Sequence, residues 1–531
     1  MDMSLPHSLS SPLKGCTRAR ASPVLARGAP RLNRWVRCAS SPPTLEPSTP
    51  RRSANYRPNL WDYDIIQSIR SNYTHKNRAE ELKYQAILLF KATDKPMALM
   101  ELINTIERLG IGYLFEDQIK TALDTIYAYN LVGSSCKYLH AAALHFRLLR
   151  EHGYNVSAGT PLSLFFFHVF NAFKDGDGSF ITKVSGDVKG MLSLFEASCI
   201  ALPGEELLDE AKAFTSKHLK AKMNSMEPWL RGEVQHALQF PRQKERSPVL
   251  LQLAKLNFNM VQSLHQSDLK EVFGPYQPVF KKTPSRTELA RFNSGIAMNG
   301  SNWWDLKDME PLPGYMKLVY MALFNTMNHM AYDTLKKQGC CIIGSLSKAW
   351  AGLCKVYLKE AKWFHSGYKP TLDEYLRNAY ILIAGPLLTI NGCFLSGEKI
   401  APEVVGCLEQ GPKLVWCSST IQRLINDMGT SKDELKRGDL LESVQCYVQE
   451  TGASEEQARE HIRNLVNDLW KQHHEEWLTP SPLPKTIIRE TLNFTRGFEF
   501  IYQYGDGFGA TGCTTLDHFT SLLFQPIDID I

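Results

Sequence analysis

Apolar residues recur at intervals of three and four along most of the chain from about residue 60 onward. In GEELLDEAKAFTSKHL they fall at Leu207, Leu208, Ala211 and Phe214, which share one face of a helix with 3.6 residues per turn. Alternating Val, Ile and Thr between turn residues, which is typical of strands, is nearly absent. The pattern therefore predicts an all-α protein built from many helices of medium length.

Two local features refine this prediction. Ser454, followed three residues later by Gln457, is a capping box that predicts the start of a helix over EEQAREHIRNLVNDLW. The longest apolar burst, Leu162 to Phe170, is too short to cross a bilayer, which needs about 18 apolar residues in succession. We therefore expect no transmembrane helix.

Length and charge limit the classes of function. A chain of 531 residues suggests two to four domains, most simply two large ones. Residues 1–50 hold seven basic and two acidic residues, and the totals of 60 and 55 leave 53 of each sign in the rest. A body without excess positive charge is a poor candidate for a nucleic-acid binder. The twelve cysteines form no C-x-x-C pair, so neither a zinc cluster nor a disulfide scaffold is predicted.

The first fifty residues differ from the rest of the chain. They are rich in Ser, Pro, Ala and Arg, are almost free of acid and lack a continuous apolar core. This composition is that of an organelle transit peptide, and its serine content favours a plastid. The alternative is a disordered tail with no targeting role. In both cases residues 1–50 are excluded from the predicted fold.

One polar cluster, between Arg423 and Asp439, suggests chemistry. Residues four apart on a helix are rotated by about 40°, so Asn426, Thr430 and Glu434 can point the same way. An amide oxygen, a hydroxyl and a carboxylate are hard ligands that suit magnesium better than zinc. Arg423 lies one turn earlier and could hold a phosphate beside such a metal. The alternative is a capped, charged helix end exposed to water.

Two further motifs have simpler interpretations. His473-His474-Glu475-Glu476 lacks the second histidine of a zinc-binding helix, which favours a solvated helix end. Arg51 and Arg52 are followed after eight residues by Trp61. By themselves these residues suggest a basic linker and a core anchor, placed where the leader ends.

Together these segments resemble plant terpene synthases, specifically the class I enzymes of the monoterpene type. The resemblance runs in the family's order across residues 51–531. It is carried by RRSANYRPNLWDYD, LHFRLLREHGYNVS, KGMLSLFEAS, LLDEAKAFTSKHL, LAKLNFNMVQ, LPGYMK, EAKWFHSGYKPTLDEYL, RLINDMGTSKDELKRGDLLESVQCY and ETGASEEQAREHI.

The resemblance implies a two-domain terpene synthase fold. Residues 51–240 would form an N-terminal α-helical domain without an active site, and residues 241–531 a C-terminal metal-binding helical bundle. It implies a carbon–oxygen lyase that uses Mg²⁺ (or Mn²⁺) to act on a prenyl diphosphate, most simply geranyl diphosphate. We expect a plastid protein that works as a monomer.

The resemblance also implies roles for individual residues. The segment 426–434 is similar to the family's second metal motif, in which positions equivalent to Asn426, Thr430 and Glu434 bind one magnesium. Arg423 matches a position that contacts the diphosphate. The tandem arginines Arg51 and Arg52, with Trp61, resemble an element that helps to cover the active site.

The chain departs from the family at several places, of which the first is a metal-binding motif. Family members carry an aspartate-rich D-D-x-x-D motif that binds the other magnesium ions, and this sequence contains none. Where it is expected, residues 273–302 hold one acid, Glu288, against four basic residues. The C-terminal domain is therefore interpreted as incomplete around 273–302. The second hypothesis is a catalytically impaired or inactive terpene synthase remnant or isoform.

Overall fold

The structure is a computed structural model, and its compact main unit spans Ser53–Ile531. It describes residues 63–69, 75–128, 138–156, 161–171, 174, 187–223, 247–280, 312, 314–397, 399–437, 441–506 and 513–529. Of these, residues 63, 65, 161–165, 271–280, 315, 432–433, 435–437 and 513 are described in backbone alone. The described residues contain nineteen α-helices, one 3₁₀ turn at Gly112–Leu114 and no β-strand. The prediction of an all-α protein is confirmed.

The helices follow the chain in this order: α1 (Tyr63–Ser68), α2 (Lys76–Ala92), α3 (Pro96–Arg108), α4 (Glu116–Ala128), α5 (Leu139–Glu151), α6 (Pro161–Asn171), α7 (Val188–Ser198), α8 (Glu206–Lys222), α9 (Pro248–Phe280), α10 (Gly314–Gln338), α11 (Ile343–Ser366), α12 (Leu372–Leu382), α13 (Gly385–Leu395), α14 (Pro402–Glu409), α15 (Lys413–Arg437), α16 (Ser443–Thr451), α17 (Glu455–Leu478), α18 (Lys485–Tyr502) and α19 (Cys513–Phe524).

Sequence signals account for several of these helices. Leu208 and Ala211 are buried on α8, as the three-and-four spacing predicts. The hydroxyl of Ser454 accepts a hydrogen bond from the Gln457 amide at the start of α17, so the predicted capping box is present. Local periodicity and capping therefore locate helices correctly here.

The core of the first half surrounds α5 and α7, whose side chains are buried on almost every face. The α9 helix adds Leu250, Leu253 and Leu256 to this same apolar cluster. The expected domain boundary near residue 240 stays a prediction. The first turns of α9, which begin after that boundary, pack with the helices that come before it.

Buried ion pairs cross this N-terminal core. One guanidinium nitrogen of Arg108 donates to both carboxylate oxygens of Glu196, at 2.9 and 2.8 Å. Arg150 donates to both oxygens of Glu205, at 2.5 and 2.7 Å. A buried charge is tolerated only when it is paired and hydrogen-bonded, and in both pairs each carboxylate oxygen accepts a hydrogen bond from the guanidinium.

The second half is organised around α15, which contacts α12, α13, α16, α17 and α18. Because other helices pack around α15, its polar residues are buried as well as its apolar ones. The Ser418 hydroxyl lies 2.5 Å from that of Thr495, and the Gln422 amide donates to Ser418 at 2.9 Å. Gly385 permits the close approach of α13, since a Cβ there would lie 2.1 Å from the Ser419 hydroxyl. The candidate site lies at the C-terminal end of α15.

One stretch, Leu372–Leu395, is long and apolar enough to cross a membrane by length and composition. In the structure Ala384, with φ of 64°, separates it into α12 and α13. In its apolar window, 44% is buried within the fold. Buried core helices meet the same criteria, so this stretch is weak evidence for a membrane span.

The interpretation of His473 as part of a solvated helix end is wrong. Its side chain is 1% exposed, and it borders a cavity of about 40 Å³ that Arg150 and Ile200 also line. Burial lowers the pKa of His473 to about 4 and that of His145, in the N-terminal core, to about 4 as well. The sequence pattern missed this because α17 packs against residues far away along the chain.

Because the pKa values of His145 and His473 are lowered in the folded protein, we expect the protein to lose stability in mild acid. Both are neutral above pH 6.5 in either state, but between pH 6.5 and about 4 the unfolded chain binds the extra protons. Each should therefore cost about 2 kcal/mol of unfolding free energy at pH 5. Thermal unfolding at pH 5, 6 and 7 should show a smaller acid-induced decrease for the H145F/H473F double variant. Replacement of exposed His329 by Gln should leave the decrease unchanged, and equal pH dependence in all three proteins would contradict the assignment.

Candidate functional site at the end of α15

Four of the predicted site residues, Arg423, Asn426, Thr430 and Glu434, lie between the middle and the C-terminal end of α15. Arg423, Asn426 and Thr430 are buried or nearly so, with exposures of 11% for the Arg423 side chain and of 9% and 5% for the other two residues. The alternative interpretation, a charged helix end exposed to water, is therefore wrong for these three residues. They face the neighbouring helices instead.

The Arg423 guanidinium is held by two carboxylates. It forms a close ion pair with Asp427, one turn further along α15, and its Nη2 lies 3.1 Å from Oε1 of Glu442. Glu442 immediately precedes α16. The guanidinium thereby connects the middle of α15 to the start of the next helix.

Asp427 is fully buried and accepts hydrogen bonds from two other elements. The Tyr375 hydroxyl on α12 donates to its Oδ2 at 2.9 Å, and the Ser443 backbone amide donates to the same atom at 3.1 Å. Burial raises the pKa of Asp427, whereas the Arg423 charge and the Ser443 contact act in the opposite direction. Asp427 therefore positions Arg423 and belongs to the packing side of α15.

Asn426, Thr430 and Glu434 share the other side of the same turns. The Thr430 hydroxyl donates to the backbone carbonyl of Asn426 at 3.0 Å and lies 3.5 Å from Oε1 of Glu442. The Glu434 side chain hydrogen-bonds the Glu442 carboxyl. The Asn426 side chain hydrogen-bonds the Tyr502 hydroxyl. The structure thus places two of the three predicted metal ligands, Thr430 and Glu434, against the Glu442 carboxyl, while the side chain of the third, Asn426, contacts Tyr502.

Tyr502 reaches Asn426 because Gly429 has no side chain. A Cβ at Gly429 would lie 3.0 Å from the Tyr502 ring and 3.3 Å from the Gly505 carbonyl. The end of α18 therefore approaches α15 more closely than any larger residue would allow without displacement. Burial raises the pKa of Tyr502 to about 12, so its hydroxyl stays protonated.

Glu442 was missed in the sequence, although its chemistry matches that of the site. Its residue exposure is 4%. Burial, and next the charge of Asp427, raises the pKa of its carboxyl well above the ordinary value. The only local signal is Gln445, whose side chain accepts from the Glu442 amide at 3.3 Å. That signal identifies a helix start and says nothing of a ligand.

The donor set fits a hard divalent cation. Within the described ranges, no group of three or more His, Cys, Asp and Glu side chains is arranged to hold a metal. The cluster instead offers an amide, a hydroxyl and two carboxyls. Oxygen donors of this kind suit Mg²⁺ or Mn²⁺ and do not suit a thiolate-preferring metal.

The remaining predicted site residues, Arg51, Arg52 and Trp61, lie outside the described residues. The same holds for 281–302, the larger part of the segment that departs from the family pattern. Of residues 273–302, the described backbone shows that α9 continues as far as Phe280.

The contacts of Asp427 predict its effect on stability. Asp427→Asn leaves the Arg423 guanidinium without its nearest countercharge, and breaking a buried pair in this way costs about 3–5 kcal/mol. Asp373→Asn provides a matched control, because its ion pair with Arg377 is 70–75% exposed and should contribute less than about 1 kcal/mol. Urea unfolding followed by circular dichroism measures both. Equal losses in the two variants would contradict a structural role for the buried pair.

The two halves of the chain match two family models. Residues 60–238 match "Terpene synthase, N-terminal domain", and residues 280–472 match "Terpene synthase family, metal binding domain". The described part of the second match contains α10–α16 and most of α17, including the candidate site.

Curated relatives cover nearly the whole chain. The trans-ocimene synthase of Litsea cubeba, named chloroplastic, is 39% identical over 90% of this chain and 91% of its own length. The (-)-alpha-terpineol synthase of Vitis vinifera is 38% identical over 90% and 91%. The geraniol synthase of Cinnamomum tenuipile, also named chloroplastic, is 36% identical over 94% and 92%.

Solved structures show the same architecture. A limonene synthase crystallised with 2-fluorolinalyl diphosphate has a TM-score of 0.79 at 30% identity, and the match covers 90% of this chain and 100% of that one. Isoprene synthase from grey poplar, in complex with three Mg²⁺ ions and dimethylallyl-S-thiolodiphosphate, has a TM-score of 0.77 at 31% identity, with coverage of 88% and 99%. Identity and coverage of this extent show that the chain belongs to the terpene synthase family.

Proposed function

We propose that this protein is a Mg²⁺- or Mn²⁺-dependent terpene synthase that ionises geranyl diphosphate, with loss of diphosphate, to give a monoterpene. The observation that supports this most directly is that Arg423, Thr430 and Glu434 of α15 all contact the Glu442 carboxyl, with Asn426 one turn before Thr430. The curated relatives named above are monoterpene synthases, which favours a ten-carbon substrate.

The proposed roles follow from the contacts of these residues. Asn426, Thr430 and Glu434 would hold the cation, which when bound stabilises the negative charge that develops on the departing diphosphate. Arg423 would bind the diphosphate and contribute a fixed positive charge. Asp427, held by Tyr375 and the Ser443 amide, orients the guanidinium before substrate arrives, so little reorganisation is needed during the reaction.

Two parts of the proposal concern residues outside the described ranges. Arg51, Arg52 and Trp61 would cover the active site, and residues 1–50 would direct the protein to a plastid. A cover that excludes water matters for this chemistry, because a carbocation formed in the presence of bulk water is quenched. The expectation of a monomer stays a prediction.

A second function is favoured by a specific sequence observation. The chain has no D-D-x-x-D motif, and residues 273–302 carry four basic residues against one acid. Loss of carboxylates that bind further magnesium ions would remove charge stabilisation worth about 2.7–4 kcal/mol for each such group. The second candidate is therefore a terpene synthase that binds diphosphate but turns over slowly or not at all.

An assay of the full chain separates the two candidates. Incubation with geranyl diphosphate and Mg²⁺ should give volatile products, detected by gas chromatography, and Asn426→Ala should lower the rate by about 10²–10³-fold because a cation ligand is lost. Asn464→Ala, at an exposed position on α17, is the control and should keep the wild-type rate. Absence of product above a no-enzyme blank would support the inactive candidate.

The leader can be tested separately. Residues 1–50 fused to a fluorescent protein should accumulate in plastids of leaf cells, because their basic, serine-rich and acid-poor composition is that of a transit peptide. A fusion in which the seven basic residues are replaced by serine provides the matched control. Fluorescence in the cytosol with the unmodified leader would contradict the targeting role.

A further inference from the structure

Glu442 immediately precedes α16, but its carboxyl lies against the side of α15 that carries Thr430 and Glu434. Its Oε1 is 3.5 Å from the Thr430 hydroxyl, and its carboxyl hydrogen-bonds the Glu434 side chain. Only 5% of the Glu442 side chain is exposed. Two of the three residues in the 426–434 motif therefore contact one additional carboxyl.

The second oxygen of this carboxyl is an independent indication of a ligand. Oε2 of Glu442 is buried and has no hydrogen-bond partner among the residues that the structure describes. A buried carboxylate oxygen without a partner is unfavourable. A cation bound between Glu442 and the α15 residues would satisfy it.

The balance of charge also favours a divalent cation. Arg423 contributes one positive charge, which Asp427 and Glu442 share. Glu434 adds a third carboxyl, in contact with that of Glu442, so three carboxylates and one guanidinium leave two negative charges. Two adjacent carboxylates repel each other unless a proton or a cation lies between them, and one divalent ion balances both charges.

We propose that the Glu442 carboxylate is an additional ligand of the divalent cation held by the 426–434 motif. This inference rests on the proposed function, because it requires the cation site on α15. It adds a second carboxylate to that site, which matches the preference of Mg²⁺ for one or two carboxylates completed by water and substrate oxygens.

Mn²⁺ binding measures this directly without catalysis. The full-length wild type, E434Q, E442Q and E456Q are titrated with Mn²⁺, and free Mn²⁺ is followed by electron paramagnetic resonance. Loss of a ligand should weaken Mn²⁺ binding about 10-fold or more in E434Q and in E442Q. E456Q, the same substitution at an exposed position on α17, should bind like the wild type.

The outcomes separate this inference from the proposed function. Weaker Mn²⁺ binding in E434Q with wild-type binding in E442Q overturns the role of Glu442 and leaves the α15 site intact. Absence of Mn²⁺ binding in the wild type, or unchanged affinity in E434Q, overturns the cation site itself. Tighter binding of inorganic pyrophosphate by E442Q, with unchanged Mn²⁺ affinity, would show that Glu442 competes for Arg423, and would also overturn the proposal.

A second variant guards against misfolding. Thermal unfolding in the presence of EDTA tests whether each variant folds. Glu442→Asp keeps the charge but withdraws it by one methylene group, so its Mn²⁺ affinity should lie between those of the wild type and E442Q. If E442Q fails to fold, wild-type affinity in the aspartate variant overturns the proposal.

Discussion

The buried guanidinium of Arg423 is the group around which the candidate site is arranged. A charge that is 11% exposed must be compensated within the protein. The compensation comes from Asp427 on the same helix and from Glu442 at the start of α16. Tyr375 on α12 then hydrogen-bonds Asp427. The Arg423 guanidinium and its partners thus connect three helices, α12, α15 and α16.

The two sides of α15 have different roles, packing on one side and the candidate cation site on the other. Asp427 faces the packed side, where a hydroxyl and a backbone amide fix its orientation. Asn426, Thr430 and Glu434 face the Glu442 carboxyl and the end of α18. Neighbouring residues on a helix are rotated by about 100°, so Asn426 and Asp427 can serve binding and packing separately. Gly429 completes the arrangement by admitting Tyr502 to the binding side.

Two ion pairs in the N-terminal half, where no ligand is expected, provide a comparison for the hydrogen bonds of the Glu442 carboxyl. Arg108 with Glu196, and Arg150 with Glu205, form ion pairs in which both carboxylate oxygens accept a hydrogen bond from the guanidinium. The α15 site differs from these two pairs because one oxygen of the Glu442 carboxyl has no hydrogen-bond partner among the described residues, while its other oxygen lies near the Thr430 hydroxyl.

The sequence alone determined the features that depend on local rules. Three-and-four spacing and the Ser454 capping box located helices, and a spacing of four placed Asn426, Thr430 and Glu434 on one helical face, because a helix repeats within a few residues. Glu442, Tyr375 and Tyr502 could not be assigned in this way, and neither could the burial of His473. Their positions depend on how separate helices pack, which is set by contacts between residues far apart along the chain. Only the tertiary structure therefore decided which side chains surround the motif and whether the end of α15 faces water or protein.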